Sequence, residues 1–212
     1  MPDIQISEKL ILLFYFMPIF LLSLSIHEYA HALLAYKFGD DTAQKQGRLT
    51  LNPLKHIDLV GSIIMPIIAF TSGFMLIGWA KPVPVDRRNF KNVLKDDAIV
   101  SFAGPLSNLI FAIIIYGIYL VLDSTDLLQS DVLYNILRLG IIFNVFLFCF
   151  NLLPIPPLDG SHIIYDLFPN KYTAKLQTLG MYGTLILFMF IYSPLWSVFM
   201  NLVNWITSFF PL

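Results

Sequence analysis

His27, Glu28 and His31 stand in the order His-Glu-x-x-His, spelled HEYAH in this chain. At 3.6 residues per turn, two histidines four positions apart lie one above the other on a single helix face. Their imidazoles can share one metal ion while Glu28 reaches a water molecule beside it. Such a trio supports metal-assisted hydrolysis, with the carboxylate accepting the water's proton. The setting strengthens this reading, because residues 10–26 carry no charge and ionisable groups in an apolar membrane helix are costly and usually functional. The competing account is a chance match among interface histidines.

Two histidines do not complete a catalytic site, which needs a third protein ligand and an open position. Asp159, in the stretch NLLPIPPLDG at 151–160, is a carboxylate embedded in apolar sequence. His56, His162 and Asp166 sit in more polar surroundings. Taken alone, an Asp before a Gly marks a turn or a helix cap. Beside a membrane HExxH pair, Asp159 is the expected third ligand. A divalent ion, one carboxylate and a hydroxide sum to zero charge, which makes such a site tolerable in a low-dielectric medium.

These groups must be placed by helices in a bilayer. Of the 212 residues, 57% are hydrophobic and only 13% charged, with a mean hydropathy of +0.73, against roughly 25% charged in an average soluble domain. The expected fold is an all-α polytopic membrane protein, a single domain over 1–212, with five to six membrane-embedded helical segments. The net charge of −1 gives no basic surface for nucleic acid. The single cysteine, Cys149, excludes a disulfide within the chain and reads as a packed apolar thiol.

The first helix is expected from Lys9 to Phe38, with Gly39 as its stop. No small-x-small cleavage site follows its apolar run, so it is read as a retained span. Further uncharged runs cover 59–80, 98–122, 139–158 and 178–212. The last is too long for one span; a helix over about 177–193 is expected, broken at Ser193-Pro194 and followed by a second hydrophobic segment. The run 59–80 contains Gly61, Pro66, Gly73 and Gly78 and could either span or dip in and return, making 57–85 the irregular part of the fold.

Sidedness favours the return. If 59–80 returns, the nine basic residues from Lys37 to Lys95 share a side with Lys171 and Lys175, opposite only Lys9 and Arg138. If it spans, the division is eight against five. The positive-inside rule selects the first arrangement, with the basic side cytoplasmic. The same arrangement brings the end of the run 139–158 to the HExxH end of the first helix. The metal then lies below the cytoplasmic membrane surface.

HEYAH in a membrane helix, NPLKHID at 52–58, GWAKPVPV at 78–85, FAGPLSN at 102–108 and NLLPIPPLDG at 151–160 together closely resemble the site-2 protease family of intramembrane zinc metalloproteases, in its compact bacterial and archaeal form. The resemblance covers roughly residues 10–190. It implies one Zn2+ held by His27, His31 and Asp159, Glu28 as the catalytic base, and cleavage within the transmembrane helix of a membrane-anchored protein substrate. It also implies a multi-pass protein of a bacterial or archaeal cell membrane. No insertion here is long enough for the PDZ or cystathionine-synthase-type domains of some relatives.

A substrate helix must unwind before its backbone can be attacked, and the segment 57–85 is a surface where the opened strand could pair. Asn151 and Asn108 are amides in apolar helices, suited to orienting a ligand, binding substrate backbone or bonding between helices. His56 is a further substrate-binding or ligand-orienting residue, or a loop histidine. Gly104 and Pro105 suit close helix contact. Trp196 and Trp205 read as interfacial anchors. Two other functions fit parts of the pattern. Two histidines and a carboxylate also form the facial triad of non-haem iron oxygenases, here a membrane oxygenase, and a non-catalytic metal-containing membrane binder or transporter would use the ion for structure.

Overall fold

The computed structural model of the chain describes residues 6–72, 78–128 and 130–211. Its helices are α1 (Ile6–Lys37), α2 (Thr42–Lys45), α3 (Met65–Ser72), α4 (Val93–Ser124), α5 (Asp131–Asn151), α6 (Asp159–Leu167), α7 (Lys171–Gln177), α8 (Met181–Ile191) and α9 (Leu195–Thr207). Three of them are long and apolar enough to cross a membrane: α1 over Leu13–Lys37, α4 and α5. The bent pair α7 and α8 raises that to four among the described residues, beside the shorter apolar helix Leu59–Ala69; the expected count of five to six embedded segments is not confirmed.

α4 is the centre of the bundle, packed against α1, α5 and α6. Its N-terminus is capped by Asn92, whose side chain accepts from the N–H of Lys95, meeting one of the donors a helix start leaves open. α1 ends as the sequence predicts. Gly39, at φ +109°, takes the left-handed turn, the N–H of Asp40 reaches the carbonyl of Ala35 and that of Gly39 reaches Tyr36. This pair of bonds closes the last turn in the Schellman manner.

One apolar cluster joins α4, α5 and α9 through Ala112, Ile115, Ile141, Val145, Phe199 and Val203. A second joins α1 and α5 through Phe20, Leu24 and Leu147. Trp196, half-buried, packs its ring on Phe146, Phe190 and Phe199 at the edge of the first cluster. Trp205 stays 60% exposed.

The segment expected to be irregular is so. A π-type stretch, Leu59–Ile64, runs into α3. Residues 73–77, where the chain must reverse if it returns, lie outside the described residues. The two flanks meet: Trp79 N–H bonds the carbonyl of Gly61 at 3.2 Å, and Ser62 Oγ donates to the carbonyl of Trp79 at 2.8 Å. A membrane crossing between 62 and 79 would separate these groups by about 30 Å; they are instead paired.

Two expectations need correction. Asp159 does not end a helix spanning 139–158. α5 stops at Asn151, the prolines at 154, 156 and 157 cannot continue it, and Asp159 opens α6. Gly160 permits this, since a Cβ there would lie 2.3 Å from the carbonyl oxygen of Leu152. The helix expected over about 177–193 begins later, as α8 at Met181, and ends before the expected break at Ser193-Pro194; α7 meets it at 94°, across Gly180 at φ +50°.

Candidate metal centre

α1, α4 and α6 bring His27, His31 and Asp159 to one point. The Nε2 atoms of the histidines lie 3.0 Å apart. Asp159 places Oδ2 at 3.2 Å from His27 Nε2 and Oδ1 at 3.4 Å from His31 Nε2. A tetrahedral zinc site with bonds of about 2.0–2.1 Å has ligand-to-ligand edges of about 3.3 Å, so these separations suit one ion.

The tautomers argue the same way. Asn108 gives both amide protons away, to the carbonyl of Ser23 at 3.1 Å and to Oδ1 of Asn144 at 3.0 Å. Its Oδ1 therefore accepts from Nδ1–H of His27 at 2.7 Å. His31 donates Nδ1–H to the carbonyl of Val100 at 2.7 Å. Both Nε2 atoms are thereby left as bare lone pairs facing each other, an arrangement that calls for a cation between them. Oδ2 of Asp159 is buried and without a hydrogen-bond partner, which fits the same ion. Gly104 makes room on α4: a Cβ there would sit 2.3 Å from His31 Nε2.

The model of peptidase family M50 matches residues 15–191. The chain belongs to this family, that of the site-2 proteases. It is 44% identical over 181 residues to "Putative zinc metalloprotease YwhC" of Bacillus subtilis (strain 168), covering 84% of this chain and 80% of that one. It is 31% identical over 194 residues to "Putative zinc metalloprotease Rip2" of Mycolicibacterium smegmatis, covering 89% and 71%. No solved structure is a significant match. The protein is a zinc metalloprotease, and zinc is its cofactor.

In this M50 chain, Glu28 sits beside the ligands, 9% exposed, and its Oε2 accepts from the backbone N–H of Val83 at 2.6 Å. The strand carrying Val83 is held from behind: Arg48 donates to the carbonyls of Lys81 and Pro82, and Lys81 N–H bonds the carbonyl of His56. A cavity of about 720 Å³ opens over the metal trio and Glu28 and includes Asn151 and His162 in its wall.

The second group of expected residues divides. Asn108 is fully buried behind His27. Asn151 lines the cavity but turns its amide N–H back to the carbonyl of Leu147. His56 stands apart from the cavity wall, its Nε2 on the carbonyl of Thr50 at 2.8 Å, and reaches the Val83 strand only through its backbone.

Sequence reasoning missed Ser23 and Asn144. Asn144 donates to Ser23 Oγ at 2.9 Å and to the carbonyl of Gly140 at 2.8 Å, and accepts from Asn108. The signal existed, since Asn144 is an amide in an apolar helix on the same terms as Asn108.

Proposed function

We propose that this metalloprotease hydrolyses a peptide bond within or near the transmembrane helix of a membrane-anchored protein, from a centre on the cytoplasmic side of the bilayer. The observation that carries the reading is the composition of the cavity over the metal trio. Its wall combines His27, Glu28, His31 and Asp159 with Leu24, Leu147, Phe150, Leu187 and Phe188, and those apolar residues sit on α1, α5 and α8. An apolar chain delivered through the membrane suits that wall better than a soluble peptide. Membership of a peptidase family selects hydrolysis over the iron-oxygenase and non-catalytic readings.

Zinc, when bound by His27, His31 and Asp159, supplies a Lewis acid that polarises the scissile carbonyl and lowers the pKa of the attacking water. Glu28 accepts that water's proton and passes it to the departing amine. Asn108 and the carbonyl of Val100 hold the imidazoles in the ligating tautomer. The strand at 82–85 offers the backbone for an unwound substrate. Among the described residues, the carbonyl of Val83 and the N–H of Val85 carry no intramolecular partner, as an edge awaiting strand addition would.

The test is Glu28→Gln. The variant keeps all three ligands and should retain zinc. Membrane-fraction proteomics should then show full-length transmembrane substrates accumulating beside the variant and cleaved beside the wild type. Identical membrane peptide profiles in the two strains would remove this reading.

A further inference from the structure

His162 takes no part in the ligand set, yet it stands in the wall of the same cavity. It lies three positions after Asp159, in the opening of α6, and residues three apart on a helix are neighbours about 5–6 Å apart at Cβ. Its Nδ1 is 3.6 Å from Oδ2 of Asp97, and its side chain is 42% exposed where that of Asp97 is 5% exposed. Asp97 is itself held by Nε of Arg87 at 3.0 Å, and Arg87 also pairs with Asp166. Nε2 of His162 has no partner among the described residues. An imidazole in the wall of the cavity, one helical turn after a metal ligand and with Nε2 free of intramolecular partners, is placed to donate to a bound substrate.

Resting on the hydrolytic reading above, we propose that His162 is a catalytic residue: its Nε2–H donates a hydrogen bond to the scissile carbonyl oxygen as negative charge develops there. The substrate oxygen accepts from Nε2–H, while Asp97, paired with Arg87, stands 3.6 Å from Nδ1 on the far side of the ring. No proton is transferred to or from His162 and no covalent bond to it forms. The ring stabilises charge and Glu28 carries the proton. A preorganised donor of this kind contributes about 10²–10³-fold to kcat.

The test uses zinc-loaded full-length protein in detergent micelles. The probes are a lysine-flanked Leu/Ala transmembrane peptide with central glycines, carrying a fluorophore and quencher, and its phosphinic analogue, whose tetrahedral anionic group imitates the charged carbonyl oxygen. His162→Ala should keep its zinc and lose about 10²-fold in kcat with KM within about two-fold, and should bind the phosphinic analogue correspondingly more weakly. His162→Gln, which keeps a donor, should recover part of both losses. A His162→Ala enzyme with unchanged kcat and unchanged analogue affinity overturns the proposal, as does a rise in KM alone. A wild-type zinc enzyme that neither cleaves the peptide nor binds the analogue strikes down the hydrolytic reading, and this inference with it.

Discussion

Nδ1 of His27 and Oδ1 of Asn108 lie 2.7 Å apart across 81 positions of the chain. A bond between α1 and α4 therefore decides which nitrogen of His27 is free for the metal. The relationship is strict because Asn108 has no proton left to offer: both are taken by Ser23 and Asn144.

Asn108→Ala should accordingly weaken zinc binding by about 10–100-fold, the usual effect of losing a group that orients a metal ligand. Competition against a zinc chelator in detergent solution reads it directly. Asn108→Ala protein holding zinc as tightly as the wild type would show that the tautomer is fixed by something else.

Asp166 gives a pH dependence with a defined sign. Burial and the neighbouring Asp97 carboxylate push its pKa up to about 7 against the pull of Arg87, while in the unfolded chain an Asp titrates near ~4. The native state then binds the proton more tightly, so the group's stabilising contribution is complete below about pH 4 and is lost as pH rises toward about 7. Replacing it with Asn removes that slope. Relative to the wild type, the Tm of Asp166→Asn should climb from about pH 4 to about pH 7, measured by melting in micelles. Two curves running parallel across the window would refute the assignment.

The pairing of Trp79 with Gly61 and Ser62 predicts that Lys45 and Lys91 share one side of the membrane, and the positive-inside rule predicts that this side is the cytoplasmic one. Lys91 is the better probe than its neighbour Arg87, whose guanidinium is tied into ion pairs. Single cysteines at 45 and 91, in a Cys149→Ser background, should both resist an impermeant thiol reagent applied to intact cells and react in inverted vesicles. Reaction of the two from opposite faces would require residues 59–80 to span.

The helix carrying HEYAH and its stop at Gly39 were legible because each depends on local spacing or on one turn residue, and Asp159 was legible at a distance because it is a carboxylate embedded in apolar sequence where a third ligand was required. The irregular segment announced itself through its glycines and prolines. What stayed hidden depends on partners far away in sequence. Asn144 meets Ser23 across 121 positions, and no window along the chain displays that contact. The bend between α7 and α8 was invisible for a related reason, since 178–193 reads as one apolar run and only the backbone at Gly180 interrupts it. Asp159 was placed in the right company on the wrong element, because an apolar run containing three prolines was counted as helix.

The bond from Val83 to Glu28 has a mechanical side. Pro82 and Pro84 have no N–H to give, so Val83 is the single backbone donor of residues 82–84, and it is spent on the carboxylate. Whatever leans on this strand also tugs on the base. Seating a guest chain along 82–85 and readying the proton acceptor become one displacement, with Arg48, gripping the carbonyls of Lys81 and Pro82 from the rear, as its fulcrum.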